Sequence, residues 1–262
     1  MNISDILNAS AANKLVNTSP KTAAQATDSL SPVEQALKKT STRIQAEVDA
    51  TTTQLSSFGQ LKSTISNTQL AAGALGKLES TASSASVKTA ASNFVSAFNT
   101  TLGSAKTTAT VPGSSTAATQ SASRTGRDLS RAVTTDVRTF DALKKLGFSM
   151  GSDGRLALDS KKFEAAQKAD PAGTQATLSK IGKQVETAAV KELASDGGVN
   201  GSMSSLKARS SLLKTQQTSL ADLAKITAAA TSTANNTTSA SNWSQGFGIS
   251  AYQSNASNAW KF

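Results

Sequence analysis

Two aspartates stand out as candidates for chemistry. In "LGFSMGSDGRLALDSKKF", residues 146–163, Asp153 and Asp159 flank a short apolar pair, Leu156 and Leu158. A calcium loop needs oxygen ligands at alternate positions and a Glu at the twelfth. Here no carboxylate stands between the two aspartates, so the spacing rejects that reading. Asp153-Gly154 instead reads as the turn of a hairpin, and Asp159 as a helix cap. The glycines of "GGVNG" and "LGFSMGSDG" are not followed by Lys-Ser/Thr and follow no buried strand, so they read as linkers or turns rather than a phosphate cradle. The chain has no Cys and no His. That removes Cys-based zinc sites, disulfides, Cys nucleophiles and His general bases. A Ser-Lys hydrolase or a carboxylate pair stays formally open, without a motif for either. Glu34, Glu47, Asp49, Glu79, Asp136, Asp141, Glu164, Asp170, Glu186 and Glu192 fall mostly on polar helix faces with no pair made to converge. No catalytic residue, metal ligand or cofactor site is expected.

Formal net charge is +10 and the sequence pI is about 9.9. Such a balance draws anionic partners: nucleic acid, a membrane surface or an acidic protein. The lysines are scattered, with doublets at Lys38-Lys39, Lys144-Lys145 and Lys161-Lys162, and no basic run is interleaved with stacking aromatics. The expectation is a solvated basic surface, with nucleic acid a lesser alternative. No run reaches the ~18 apolar residues of a membrane span. The opening "MNISDILNASAANKL" lacks a basic region followed by an apolar core, so no cleaved secretory signal is expected.

The elements that position these residues follow from periodicity. Apolar residues make up 37% of the chain and aromatics only 4%, which favours thin helical packing with small side chains over one thick core. Residues 1–31 read as disordered. Ser31 as N-cap and Pro32 at the first position open a helix over 32–78. Its stripe is Leu37, Ile44, Leu55, Phe58, Leu61 and Ile65, at spacings of threes, fours and sevens. Gly59 costs roughly 1 kcal/mol inside a helix and marks a kink or a close contact; Gly73 and Gly76 loosen the end. Val87, Ala91, Phe94, Phe98 and Leu102 place a second helix over 86–106, and residues 107–125 read as a flexible connector. Leu129, Val133, Val137, Phe140 and Leu143 or Leu146 place a helix over 127–146, closed by Gly147 in a left-handed cap. A hairpin follows over 147–158: Phe148 and Met150 alternate, Asp153-Gly154 turns the chain, and Leu156 and Leu158 alternate back. Helix then spans 160–194, stopping and restarting at Asp170-Pro171. A last helix over 202–230 carries Met203, Leu206, Leu213, Leu220 and Leu223, with Leu206, Leu213 and Leu220 set opposite the first stripe. Residues 231–262 read as a flexible polar tail whose Trp243, Phe247, Tyr252, Trp260 and Phe262 are candidates for docking a partner. The fold class is mainly α: an elongated helical bundle or coiled coil of N- and C-terminal helices, one small hairpin, disordered termini.

Four segments in order carry a family resemblance. "LSSFGQLKSTISNTQLAAGAL", Leu55 to Leu75, has an aromatic-Gly-x-Leu-Lys core at Phe58 to Lys62. "SNFVSAFNTTL", Ser92 to Leu102, looks like a Phe-Val-x-Ala-Tyr-Asn helix with Phe98 in place of Tyr. "LKKLGFSMGSDGRLALDSKKFEAAQKADPAG" looks like Leu-Gly-Ile, a turn, Asp-Gly-x-Leu-x-Leu-Asp, a helix and Asp-Pro. The heptads from Met203 to Leu223 look like a C-terminal helix. Together these are spread over about two thirds of the chain, from Leu55 to Leu223, and the chain resembles the flagellar filament-capping family, flagellar hook-associated protein 2. It departs from that family in having only "ESTASSASV" where large β-rich domains usually stand, and in its aromatic tail. The resemblance implies a leg-like helical module that leaves the cell uncleaved by the flagellar type III route, with the N-terminal segment suited to threading an export channel. It implies a homo-oligomer, or docking on flagellin and hook-associated proteins, an extracellular place on the flagellum, an export chaperone as a further partner, and no catalysis. The alternatives are an exported accessory or regulatory relative without capping activity, and a basic helical nucleic-acid binder.

Overall fold

The computed structural model describes the backbone of residues 32–79 and 81–245, and side chains through residue 230. In chain order the elements are α1 (Pro32–Gly76), α2 (Ser84–Ala109), α3 (Thr116–Thr134), α4 (Val137–Lys145), β1 (Phe148–Met150), β2 (Leu156–Leu158), α5 (Ser160–Ala169), α6 (Pro171–Leu193) and α7 (Gly198–Gln245). The chain is mainly α, with a single antiparallel pair of strands among the described residues. It divides into two compact units, one drawn from the two ends of the chain through Gln45 and from Lys214, the other from Ala46–Leu213.

Local signals set most helix starts. Ser83 and Ser115 accept from Ser86 N and Ala118 N at 3.2 Å each, and Asp136 accepts from Thr139 N at 3.2 Å. Each satisfies one of the donors that a helix start leaves open. α5 ends and α6 begins on Asp170, whose carboxylate accepts from Gly173 N at 2.8 Å, with Pro171 in the first turn. α4 closes on Gly147 at φ +87°.

Several boundaries differ from the sequence reading. Residues 107–125 are not a connector: α2 runs to Ala109 and α3 starts at Thr116. Ala118, Ala122 and Thr125 are buried on the same face as Leu129 and Val133. Their small side chains look like linker composition, yet they serve close helix packing. The span expected as one helix over 127–146 breaks before Asp136, which caps α4. α7 begins at Gly198 and continues to Gln245, so residues 231–245 belong to a helix rather than to the tail. Trp243 lies on that helix with its side chain outside the described set; Phe247, Tyr252, Trp260, Phe262 and residues 1–31 also lie outside it.

The Ala46–Leu213 unit holds one continuous apolar cluster. Phe58, Phe94, Phe98 and Phe163 are fully buried in it with Leu61, Ile65, Leu129, Leu178 and Ile181. Each such side chain contributes roughly 1.5–3 kcal/mol on burial. α3 packs on α2 and α6, and β2 packs on α2. Hydroxyl bonds tie the helices across this core: Thr68 Oγ1 with Thr101 Oγ1 at 2.8 Å, Thr108 Oγ1 to Ser57 O at 3.2 Å, and Thr125 Oγ1 to the buried Glu192 carboxylate at 2.7 Å. These threonine hydroxyls therefore act as interior glue. Where α1 meets α6, a Cβ built on Gly182 would lie 2.5 Å from Ala72 O and 2.6 Å from Gly76 N. Only glycine permits that backbone approach. Gly73 and Gly76 thus lie at a tight helix contact instead of loosening a helix end. Of the two roles offered for Gly59, a close contact is ruled out, since a Cβ there meets nothing within 4 Å.

In the other unit, Leu37 and Ile44 of α1 and Ala224 of α7 are buried, and Gln217 Nε2 donates to Gln45 Oε1 at 2.7 Å. Leu220 is half-buried, while Leu223 is 47% exposed and leaves the stripe assigned to it.

Candidate functional site

The strands pair as Phe148↔Leu158, Ser149↔Ala157 and Met150↔Leu156. This register follows from alternation: with a side-chain period of two, Phe148, Met150, Leu156 and Leu158 share one face. Phe148 and Leu156 are buried, Met150 and Leu158 half-buried, and the intervening Ser149 and Ala157 exposed. The Phe148 ring meets Phe163 of α5 edge-on at 6.0 Å. All four apolar residues that the sequence assigns to a clip therefore turn towards the helices.

The turn consumes its polar groups locally. Gly151 N donates to Arg155 O at 2.9 Å, Gly154 N donates to Gly151 O at 3.0 Å, and Asp153 Oδ1 accepts from Arg155 N at 3.1 Å. Gly154 sits at φ +79°, where a Cβ would also press on Ser130 Oγ at 2.9 Å. Asp159 Oδ1 accepts from Lys161 N at 3.0 Å and Lys162 N at 3.1 Å. Both aspartates that opened the chemical question are engaged with backbone amides. Among the described residues no group of three or more Asp or Glu side chains converges on a point where an ion could be held.

What the sequence reading missed is Asn99. From α2 its Nδ2 donates to Leu156 O at 2.7 Å and its Oδ1 accepts from Leu156 N at 2.8 Å. The amide presents a donor and an acceptor side by side, as a backbone peptide does, so it acts as a one-residue partner strand for β2. Asn99 stands in "SNFVSAFNTTL" without a signal of this role, because a polar residue on a helix reads as solvated until its neighbour is known. Lys88 of α2 forms an ion pair with Glu164 of α5, which ties the helix after the hairpin to the same support.

The helix-stripe residues divide between two settings. Leu55 is half-buried, while Phe58, Leu61 and Ile65 are fully buried in the cluster that also holds Phe94 and Phe98 of α2 and Leu206 of α7. The stripe is thus the wall of a multi-helix core over this stretch, and more than one side of a helix pair. Leu213 is buried, and Arg209 Nη2 lies 3.3 Å from Glu47 Oε2. Leu37 and Ile44 belong to the other unit with Leu220.

One group has strongly altered acidity. Lys180, 2.5 Å away, and Thr139, through its hydroxyl and its amide, hold the Asp136 carboxyl well below the usual carboxylate range. The cause is hydrogen bonding to the charged form. Asp136 caps α4 and pins it to α6, so this is a structural ion pair.

The fold and the clip define a class: a mainly α protein whose core helices are braced by a two-stranded hairpin gripped by a side-chain amide. Comparison with protein-family models, curated proteins and solved structures finds no match to the chain. No helix among the described residues is long and apolar enough to cross a membrane.

Proposed function

We propose that the chain is a structural subunit of the bacterial flagellum, similar to the filament cap, which docks by its helices on flagellin or hook-associated subunits and is exported without cleavage. It acts by position, and no bond is made or broken. The observation that carries this reading is the Asn99 bridge. Two of the segments on which the resemblance rests, "SNFVSAFNTTL" and the Gly147–Asp159 hairpin, are joined through Asn99 and Leu156. A shared physical task explains why both patterns stand in one chain. The engagement of Asp153 and Asp159 in a turn and a cap is in keeping with a non-catalytic role. The test is secretion: expressed in a flagellated bacterium, the chain accumulates in the medium only when the flagellar export gate is intact. Equal release from a gate-deficient strain would end the proposal.

A second reading, a basic nucleic-acid binder, is favoured by one feature. Arg124, Arg127 and Arg131 are exposed on α3 at spacings of three and four, and Arg131 has a nearby carboxylate, Asp128 at 3.8 Å, the only ion pair of the three among the described residues. That reading requires a salt-dependent shift of DNA with a slope that falls when Arg124 and Arg127 are replaced by Ala.

A further inference from the structure

Elsewhere in the described chain several cations are matched by carboxylates of other elements, as Lys88 by Glu164, Lys180 by Asp136 and Arg209 by Glu47. The face shared by α2, α3 and the hairpin turn departs from this. Lys106, Arg124 and Arg127 are exposed and have no ion pair among the described residues. Asp128 and Asp153 are the only carboxylates on these elements. Each already has a cation, Arg131 Nη1 at 3.8 Å and Arg155 Nε at 3.6 Å. Tertiary contacts bring the charges together. A Cβ built on Gly126 would lie 3.4 Å from Ala105 Cβ, so α2 and α3 touch beside Lys106 and Arg127. A Cβ on Gly154 would lie 2.9 Å from Ser130 Oγ and 3.8 Å from Leu102 Cδ1, so the hairpin turn is seated on both helices. A Cβ on Gly103 would lie 3.4 Å from Arg155 Nη2. Lys106 is one helical turn from Gly103, and Arg127 is one from Ser130. Lys106, Arg127 and Arg155 therefore surround the hairpin turn, and Arg124 and Arg131 extend the row along α3.

At about 100° and 1.5 Å per residue, Arg124, Arg127 and Arg131 fall within an arc of about 60° and about 10 Å of helix axis. A nucleic-acid duplex carries one phosphate per ~3.4 Å of axis on each strand, so this row alone matches about three phosphates. Guanidinium forks bind phosphate oxygens in pairs. Two other modes of contact are closed. The opposite side of α3, with Ala118, Ala122 and Leu129, is buried, and α3 packs on α2 and α6. A helix embedded in this way cannot enter a major groove about 12 Å wide. Phe94, Phe98 and Phe148, the aromatic residues of these elements, are buried, so the face offers no platform for an unstacked base. We infer that the α2–α3–hairpin face binds the phosphate backbone of a nucleic-acid duplex without reading its sequence, through Lys106, Arg124, Arg127, Arg131 and Arg155. The hairpin then does more than brace the helices: Asn99, by holding Leu156, sets where Arg155 stands. This deepens the nucleic-acid reading above and rests on it, and it is independent of the flagellar one.

The experiment is fluorescence anisotropy of a labelled DNA duplex of ~20 base pairs, titrated with the full chain over ~50–300 mM salt. Expected is binding whose log K falls with log salt at a slope of about −4.5, for about five phosphates neutralised. Two duplexes of unrelated sequence bind alike, and both bind more tightly than their single strands. Lys106→Gln and Arg155→Gln each make the slope shallower by about 0.9, whereas Lys183→Gln, beside Gly76 on the α1 side of α6, leaves it unchanged. All three side chains are exposed, so the variants keep the circular dichroism and melting of the parent. No duplex binding at ~50 mM salt removes the nucleic-acid reading and this inference together. A slope that falls with Arg124→Gln but not with Lys106→Gln or Arg155→Gln leaves that reading standing and overturns the composite face. Tighter binding to a single strand, or to one duplex sequence over the other, overturns the backbone assignment in the same way. If poly-glutamate displaces the duplex as well as an equal charge of unlabelled duplex does, the occupant is an acidic protein and the duplex assignment falls.

Discussion

Replacing Asn99 by Ala isolates the link between hairpin and helix. The side chain makes two bonds to the backbone of one residue, to Leu156 N at 2.8 Å and Leu156 O at 2.7 Å. Leu156 is 3% exposed, so water reaches those groups poorly once the amide is gone. Each buried polar group left without a partner costs about 1–3 kcal/mol. Partial rehydration at the edge of the small sheet reduces that, and the expected loss is about 2–4 kcal/mol. In a chain of this size 1 kcal/mol moves the melting temperature by about 2–4 °C, so the midpoint should fall by roughly 5–15 °C. The assay is urea and thermal denaturation followed by far-ultraviolet circular dichroism, since the two tryptophans stand at positions 243 and 260, far along the chain from the site. Hydrogen exchange should show the Leu156 amide losing protection while the Phe94 and Ile181 amides keep theirs. Asn99→Asp should be intermediate or worse, because a carboxylate still accepts from Leu156 N but opposes Leu156 O. If Asn99→Ala unfolds within ~0.5 kcal/mol of the parent and the Leu156 amide stays protected, the amide grip is idle. The hairpin would then be held by Phe148 and Leu156 alone.

Three further outcomes follow from the same geometry. Gly182→Ala should destabilise by at least about 1–3 kcal/mol, since its Cβ meets the α1 backbone at 2.5 Å and forcing extra atoms into a packed contact costs that much; a melting temperature equal to the parent's would refute the close α1–α6 contact. Gly59→Ala should stabilise by about 0.5–1 kcal/mol, because a Cβ there meets nothing within 4 Å and Ala is the better helix former; a loss of stability in denaturant titration would count against it. The Asp136–Lys180 pair contributes with a defined sign. The folded carboxyl titrates below its unfolded value of about 3.9, so its stabilisation is fully present above that value and is lost as pH falls through the depressed folded one. The melting difference between parent and Lys180→Met should therefore be constant near neutrality and shrink below about pH 4; a difference that grows with acid would contradict the assignment.

Position-by-position chemistry made much of this molecule legible in its residues. Alternation of Phe148, Met150, Leu156 and Leu158 around Asp153-Gly154 dictates a hairpin and its inward face, because a two-residue period leaves no other register. Asp159, Asp170 and Pro171 mark helix ends through local bonds that need no distant partner. The apolar stripe of Phe58, Leu61 and Ile65 names core residues, since a 3.6-residue period places them on one side. Tertiary structure alone decided the rest. Ala118, Ala122 and Thr125 look like a linker until α2 and α6 close on them, because small residues gain stability only from a neighbour's approach. Gly182 and Gly59 are the same residue type with opposite meanings, set by whether another helix's backbone lies within reach. Asn99 is an ordinary polar helix residue until Leu156, far along the chain, presents a peptide to it: a hydrogen bond between distant segments has no period, and so leaves no trace in local pattern.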